Sequence, residues 1–326
     1  MKKLLATILA LVMALSLTTA AWAEGEGAAK VARIGDTEYA TLQAAIDAAK
    51  RNDTVTLLAD TKENVTISTS YLTLDLNGHT LNGGTEKGKP ALTVKDSVNG
   101  MTRVTVKDSS EAQTGTIMRE DTAENSGVSS HYVIDIQGKS LLTFESGNVK
   151  NNSGNADRSK GASLVRVGDD RYMNAISKLT INGGTFKQDN FIAIKVDRGN
   201  LILNGGEVNS ANSYAVENWC NANIKGGTVN GTVSTWVYSK GSETSKLTIS
   251  GGTVNGNVAS VNYDSAAEKQ ARVFIEGGEV TGTLGTYTYS NGLVATDDTS
   301  MATIKVSGGT FSSDPTEYVV EDSGVT

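Results

Sequence analysis

The sequence has very few of the residues that build cross-linked or metal-bound proteins. Its 326 residues include one cysteine, two histidines and two prolines, and only 6% are aromatic. A single cysteine excludes an internal disulfide framework and a cysteine-based zinc cluster, and two prolines exclude a proline-rich linker architecture. The length is enough for one elongated domain or two ordinary domains.

Basic residues are also in deficit. The chain has 29 Lys and Arg against 36 Asp and Glu, a formal net charge of −7. Removal of Lys2 and Lys3 with a leader would leave 27 basic and 36 acidic residues, a net charge of −9. This balance argues against nucleic acid as a partner, because phosphate neutralisation needs a basic patch.

Residues 1–23 have the pattern of a secretory signal peptide. Lys2 and Lys3 precede the apolar stretch Leu4–Leu17, and Ala21-Trp22-Ala23 is typical of a cleavage site. We therefore expect a secreted or cell-surface protein, with residues 24–35 as a lead-in to the folded domain. No later segment is predicted to span a membrane.

The dominant feature is a repeat that contains Gly-Gly. The copy Leu179-Thr-Ile-Asn-Gly-Gly-Thr-Phe186 recurs with similar sequence, and the six clear copies begin at Leu179, Leu201, Ala222, Leu247, Val273 and Ile304. Apolar and polar residues alternate within each copy, which predicts a strand with one face buried. Alignment produces three apolar columns, which begin with Leu179, Ile181 and Phe186. Equivalent residues of successive copies are expected to stack one strand spacing apart.

Strands, glycine corners and variable loops within a period of 20–30 residues predict a parallel β-helix, an all-β solenoid. A helical repeat is excluded because Val, Thr, Ile and Gly dominate the copies. The Gly-Gly pair is expected at a sharp corner, which needs a positive φ or leaves no room for a Cβ atom. The predicted domain covers residues 36–320, followed by a tail over 321–326.

One segment departs from the strand pattern. Residues 41–51 place Leu42, Ala45 and Ile46 on one helical face, with Thr41 as N-cap. This short N-terminal helix is predicted to cover the open end of the first coil. No capping helix is predicted after the last copy, so end-on self-association, or a chain that is a fragment of a longer protein, is a further expectation.

Three stretches together resemble a known superfamily. Residues 39–49 (Tyr-Ala-Thr-Leu-Gln-Ala-Ala-Ile-Asp-Ala-Ala), 53–60 and 72–81 resemble the opening of pectin-lyase-like right-handed parallel β-helix proteins. Residues 307–315 resemble repeats in large surface proteins of gut-type Firmicutes. The resemblance implies a single-stranded right-handed coil, whose relatives include lyases, hydrolases, adhesins and stalks.

The resemblance also directs attention to catalytic groups. The nearest candidates are Asp169 and Asp170 in a loop, and Lys195 and Arg198 beside Asp197. The first pair has a simpler interpretation as a solvated turn, and the second as the outer face of a strand. No catalytic residue and no metal ligand is therefore assigned. No cofactor is predicted, and Ca²⁺ stays an open possibility. Asp297-Asp298 resembles part of a calcium loop but lacks its spaced pattern of acidic residues, so it is interpreted as an ordinary loop.

Aromatic residues recur at equivalent positions in three consecutive copies. Tyr238, Tyr263 and Tyr289 share one position, and two residues earlier the copies carry Trp236, Val261 and Tyr287. If these side chains point outward, they form a strip that could stack on sugar rings or bind a partner. If they point inward, they fill the core. The binding candidates are Trp236, Tyr238, Tyr263, Tyr287 and Tyr289.

The sequence thus favours a non-catalytic, exported, adhesin-like β-helix, a surface stalk or a module that binds a glycan or a surface protein. A polysaccharide lyase or glycoside hydrolase is the alternative.

Overall fold

The computed structural model describes residues 29–86, 88–98, 100–120, 132–151, 163–169, 177–189, 191–237, 245–263, 270–289, 292–296, 302–320 and 325. The predicted signal peptide, Asp170 and Tyr238 lie outside these residues. The described chain is all-β, with a single α-helix and one long, mostly parallel, unclosed sheet. The arrangement is consistent with a β-helix solenoid. No helix among the described residues is both long and apolar enough to cross a membrane.

The strands fall into three ladders, each formed by parallel pairing of sequence-distant strands. The first ladder begins with two antiparallel pairings, of β1 with β2 and of β1 with β3, and then continues in parallel through β22, β24 and β27. Its strands are β1 (Ala32–Ile34), β2 (Thr37–Tyr39), β3 (Thr54–Leu57), β6 (Leu72–Asp75), β9 (Thr102–Lys107), β12 (Ser140–Phe144), β15 (Ser177–Ile181), β18 (Gly199–Leu203), β20 (Asn221–Ile224), β22 (Ser245–Asn255), β24 (Ala271–Val280) and β27 (Ala302–Phe311).

The second ladder lies next along the chain in each rung. It comprises β4 (Thr61–Lys62), β7 (Thr80–Asn82), β10 (Thr116–Arg119), β13 (Asn148–Asn151), β16 (Thr185–Lys187) and the first parts of β19 (Glu207–Asn218) and β21 (Thr228–Val237). It ends in the last residues of β22, β24 and β27, because in these rungs one long strand serves both ladders.

The third ladder completes each rung. It comprises β5 (Val65–Ile67), β8 (Leu92–Val94), β11 (Ile134–Ile136), β14 (Val165–Val167), β17 (Ile194–Val196), the last parts of β19 and β21, β23 (Val258–Asn262) and β25 (Leu284–Tyr289). The short strand β26 (Leu293–Ala295) pairs antiparallel with β25. One hydrophobic cluster contains side chains from all three ladders, so the ladders share a core.

The three predicted apolar columns are confirmed in register. Ile181, Leu203, Ile224, Ile249, Ile275 and Val306 are successive partners in the first ladder, and all six are fully buried. The column that starts at Leu179 runs beside it with the same pairing. The column that starts at Phe186 runs through the second ladder to Phe311, which is partly buried.

Both reasons for the Gly-Gly corner are confirmed, one at each glycine. A Cβ atom on Gly226 would lie 2.3 Å from the carbonyl oxygen of Asn204 in the preceding rung. Gly227 has a φ of +76°, a conformation that L side chains rarely adopt. The corner therefore brings two rungs into backbone contact and turns the chain from the first ladder into the second at the same place.

The predicted helix is present but shorter than expected. Helix α1 spans Leu42–Ala48 rather than 41–51, because Ala49 takes an extended conformation and Lys50 enters a turn closed by Asp53. The Thr41 side chain caps the helix by accepting a hydrogen bond from Ala44 N, as predicted. Leu42 and Gln43 donate their backbone N–H groups to Glu63, which ties the helix to the first rung.

The last described rung is partly covered by the segment that follows it, although no capping helix was predicted there. A short 3₁₀ turn, Thr316–Tyr318, leads into Val319 and Val320. Val319 forms a parallel bridge with Val306 of β27, and Val320 donates a backbone hydrogen bond to the same residue. Tyr318 and Val319 also pack against the core.

Candidate binding face on the third ladder

The outer face of the third ladder carries most of the predicted site residues that the structure describes. In each strand the residues that point to the core alternate with residues that point away from it. Val233, Val258 and Leu284 pair across β21, β23 and β25 and belong to the core. Trp236, three positions after Val233, belongs to a separate hydrophobic cluster. The aromatic side chains therefore lie on the outer face, which decides the question that the sequence left open.

Four charged residues occupy equivalent positions on this face. Asp135, Arg166, Lys195 and Glu217 are successive register partners on β11, β14, β17 and β19. Each lies between two buried residues that face the core, as Arg166 does between Val165 and Val167. Stacking by the ladder therefore forms a row of two neighbouring cations, Arg166 and Lys195, with a carboxylate at each end. These four residues, together with Tyr132, Asp169 and Asp197, form what we call the charged cluster.

Arg166 binds two carboxylates at once. Its Nε and Nη2 atoms donate to the two oxygens of Asp135 at 2.8 and 2.7 Å, and Nη2 also lies 2.9 Å from an oxygen of Asp169. Asp135 and Asp169 are each 3% exposed. Burial alone would lower the pKa of Arg166, but the hydrogen bonds and charge of Asp135 raise it above the ordinary arginine value. Such a bidentate pair is among the stronger ionic contacts in proteins.

Lys195 forms the second centre of the cluster. Its ammonium lies 3.1 Å from Asp197 Oδ1, and Glu217 is its register partner. Burial would lower the pKa of Lys195, but the negative charges of Asp197 and Glu217 outweigh it and raise the pKa above the ordinary lysine value. Lys195 therefore stays protonated near neutral pH, and it is not available to accept a proton as a lyase base would.

Tyr132 closes one side of the cluster. Its ring lies under the Arg166 guanidinium, with Cζ 4.7 Å from the ring centroid, a cation–π geometry. Burial, above all, raises the pKa of Tyr132 to about 12, so its hydroxyl stays neutral. The hydroxyl can therefore donate as well as accept hydrogen bonds.

The structure brings together two of the four catalytic candidates. Asp169 and Lys195 both belong to the charged cluster, although each is held by its own ionic partner. Arg198 lies in the turn after β17, where its backbone N–H donates to Val167 O and its carbonyl group packs close to Gly168. Asp170 lies outside the described residues.

Aromatic side chains continue this face beyond the cluster. The rings of Trp219 and Trp236 stack with centroids 5.4 Å apart and planes 23° apart. Tyr263 and Tyr289 stack at 4.8 Å and 11°. Trp236 joins the two pairs, because its centroid is 6.2 Å from that of Tyr263. With Tyr214 and Tyr287, which pack against Trp236 and its neighbours, these residues form the aromatic track.

The rings of the track differ in their exposure to solvent. Trp236 is 4% exposed, whereas Tyr263 and Tyr289 are 43% and 36% exposed. Trp236 Nε1 donates to Ser234 Oγ at 2.7 Å, which satisfies the indole group within the protein. The buried tryptophan therefore acts as a base for two tyrosine rings that stack on each other and remain partly exposed to solvent.

The charged cluster and the aromatic track are directly joined. Trp219 Nε1 donates a hydrogen bond of 2.7 Å to Glu217 Oε1, so the first ring of the track is oriented by the last carboxylate of the cluster. The sequence analysis missed Trp219, Tyr214, Arg166 and Asp135. Trp219 follows Asn218, the register partner of Thr235, and therefore stacks on Trp236.

The described residues contain no group of three or more His, Cys, Asp or Glu side chains that could hold a metal ion. Asp297 and Asp298, the residues considered for Ca²⁺, lie outside the described part of the chain.

Comparisons with family models, curated proteins and solved structures found no match for the chain.

Proposed function

We propose that this chain is an exported, non-catalytic, right-handed parallel β-helix that acts at a cell surface by binding a glycan on the outer face of its third ladder. The three parallel ladders and their shared core support the solenoid. The leader pattern over residues 1–23 supports export, which fractionation of the producing cells would test.

The aromatic track carries the proposal. Sugar rings bind to aromatic faces, because their axial C–H groups form an apolar surface that packs on a ring plane. Tyr263 and Tyr289 stack on each other and are 36–43% exposed, and each ring has one face that the other does not cover. Exposed aromatic clusters of this kind mark binding surfaces rather than ordinary protein exterior.

The charged cluster supports the track and supplies a smaller polar contact beside it. The carboxylates of Asp135 and Asp169 are buried and bound by Arg166, whereas Glu217 orients Trp219, the first ring of the track. The side chains of Arg166 and Lys195 are 16% and 25% exposed. A glycan that lies along the ladder would therefore meet aromatic rings and partly exposed cations, which are strong hydrogen-bond donors, on one surface.

The test compares glycan binding by variants of two equally exposed tyrosines. Binding of the mature chain is measured on an array of neutral glycans, and the best ligand is titrated by calorimetry. Tyr263→Ala is expected to weaken binding about tenfold, which corresponds to about 1.4 kcal/mol. Tyr71→Ala is the control, because Tyr71 is 39% exposed but lies on the first ladder.

Two results would contradict the proposal. The first is the absence of binding to any glycan on the array. The second is an equal loss of affinity in Tyr263→Ala and Tyr71→Ala, which would show that the aromatic track is not the binding site.

The enzymatic alternative predicts turnover rather than binding. Asp169 and Lys195 lie in one cluster, which is the observation that keeps this alternative in view, but the raised pKa of Lys195 opposes its use as a base. Pectins, alginates and glycosaminoglycans would be incubated with the protein, with and without Ca²⁺. New reducing ends or unsaturated products that disappear in Lys195→Gln would favour an enzyme.

A further inference from the structure

The outer face of the first ladder has a charge pattern that differs from the rest of the molecule. The chain carries a net charge of −7, yet two adjacent rows on this face contain no acidic residue. One row consists of Asn52, Tyr71, Arg103, Leu141, Lys178, Asn200, Asn221, Lys246, Arg272 and Thr303. The other consists of Thr54, Thr73, Thr105, Thr143, Thr180, Ile202, Asn223, Thr248, Phe274 and Lys305.

The two rows form an open groove over the first rungs. Its cavity has a volume of about 540 Å³ and is lined by Asn52, Tyr71, Thr73, Arg103, Val104, Thr105, Leu141, Thr143 and Lys178. We call this cavity the basic groove. Thr73, Thr105 and Thr143 are register partners, so their hydroxyl groups recur at the strand spacing of about 4.8 Å.

The cations of the groove are available to a ligand. Among the described residues, neither the Arg103 guanidinium nor the Lys178 ammonium forms an ion pair. The two residues are separated by one rung, that of Leu141, so the two charges lie about twice the strand spacing apart along the ladder, or about 10 Å. Unpaired, partly buried cations in a groove attract anions more strongly than fully solvated cations do.

Backbone strain marks the end of the same groove. Tyr71 and Asn52 have φ values of +64° and +70°, and only four described non-glycine residues have a positive φ. The Arg51 guanidinium lies 3.7 Å from the Tyr71 ring centroid, and the Arg103 guanidinium lies 5.2 Å from it. The strained backbone thus presents a tyrosine that holds two arginine side chains beside the groove.

We infer that the basic groove is a second binding site, for a sulfated polysaccharide. The regular recurrence of donors along the ladder suits a linear polymer, and the spacing of Arg103 and Lys178 suits an anionic group on alternate sugars. This site lies on another ladder from the aromatic track, so it does not depend on the function proposed above.

Sulfate fits the donor set better than carboxylate does. A sulfate group has three terminal oxygens and can accept hydrogen bonds from several directions at once, whereas a carboxylate has two oxygens in one plane. Around one cavity the groove offers a guanidinium, an ammonium and the hydroxyl groups of Thr73, Thr105 and Thr143. A ligand group with three acceptor oxygens uses more of these donors.

The experiment uses a matched pair of polymers, dextran sulfate and unsulfated dextran. Binding of the mature chain to each is measured by calorimetry at two salt concentrations. We expect dextran sulfate to bind, unsulfated dextran not to bind, and the affinity to fall with salt. The double variant Arg103→Gln, Lys178→Gln is expected to lose at least tenfold in affinity, because each charge-assisted contact contributes about that factor.

Two control variants show whether a loss of dextran sulfate affinity is specific to the basic groove. Lys150→Gln removes one positive charge from an exposed residue of the second ladder, and it is expected to bind normally. Tyr263→Ala, which tests the aromatic track, is expected to leave dextran sulfate binding unchanged. Circular dichroism of each variant confirms that it remains folded.

Several outcomes would overturn the inference. These are no binding of dextran sulfate, equal binding of unsulfated dextran, or equal loss of affinity in the double variant and in Lys150→Gln. Tighter binding of polygalacturonate than of dextran sulfate would show that carboxylate is the preferred group, and it would overturn the assignment to sulfate.

Discussion

The first glycine of each corner offers a direct test of the stacked rungs, and Gly226→Ala is the sharpest case. The added Cβ atom would lie 2.3 Å from the carbonyl oxygen of Asn204, whereas ordinary contacts begin near 3.4 Å. Relief of this contact needs a shift of about 1 Å between two rungs that are about 4.8 Å apart. Such a shift would lengthen the backbone hydrogen bonds on both sides of the corner, including the one from Gly226 N to Leu203 O.

We expect Gly226→Ala to lower the free energy of unfolding by about 3 kcal/mol or more, at the upper end of overpacking substitutions. Gly277→Ala should cost less, because its Cβ atom would lie 2.8 Å from the nearest backbone oxygen. Gly35→Ala is the control for backbone conformation alone. It has a φ of +55° and no atom within 4 Å of the added Cβ, so about 1–2 kcal/mol is expected.

Urea unfolding, followed by far-ultraviolet circular dichroism and by tryptophan fluorescence, measures all three variants. The expected order of destabilisation is Gly226→Ala, then Gly277→Ala, then Gly35→Ala. If Gly226→Ala is no more destabilising than Gly35→Ala, the rungs are not in backbone contact at the corners and the stacking argument fails.

Two further predictions concern buried charges. Arg166→Met should lower the free energy of unfolding by about 3–5 kcal/mol in urea titrations, because it leaves the carboxylates of Asp135 and Asp169 buried without their cation. The control Lys187→Met should lower it by under about 1 kcal/mol, because its partner Asp189 is about half exposed. Equal losses of stability in the two variants would contradict a stabilising role for the buried ion pairs. For Asp108, burial opposes ionisation, but hydrogen bonds from Ser110, Gly115 and Gly78 outweigh it and hold its pKa below the ordinary value of 3.8. The ionised carboxylate therefore stabilises the fold above pH 3.8, and this contribution is lost as the pH falls through the lowered pKa. Asp108→Asn should be less stable than the parent chain at pH 7 and should approach it in acid, whereas the exposed control Asp36→Asn should show no such convergence.

The core was predictable because its residues repeat. A side chain such as Ile224 stacks on Leu203 and Ile249, and the need to stack leaves an aliphatic residue at the same position of each of these copies. The Gly-Gly corner was predictable for the same reason, since every rung meets the same steric demand. The helix was predictable from Thr41 and its apolar face, but its end was not, because Ala49 has no stop signal of its own.

The charged cluster was not predictable from a repeat, because its members differ in residue type. Asp135, Arg166 and Lys195 share one register position, but they differ in charge, so the position does not stand out as a repeated residue type when the copies are aligned. The residues are also separated by connecting segments of unequal length. Only knowledge of the register places Arg166 between its two carboxylates.

Whether the aromatic side chains point outward could be decided only from the structure, which shows that inward and outward side chains alternate without interruption along β21 and β23. The pairs Val233–Val258 and Trp236–Val261 lie in one unshifted register, so no bulge moves Trp236 to the core. In β19 the pairing shifts between Asn209 and Val216, and this irregularity hides the alignment of Trp219 with Trp236 in the sequence.

The two outer faces show how a repetitive core can carry non-repetitive chemistry. Core-facing positions are constrained by stacking, so they vary little from rung to rung and hold no information about ligands. Outer positions such as Arg103, Lys178 and Tyr263 are free to differ, yet the ladders fix their spacing at multiples of about 4.8 Å. A ligand whose own groups recur along a chain matches that spacing on either face. The geometry therefore favours linear polymers over small compact ligands, and we expect the two faces to select polymers of different charge.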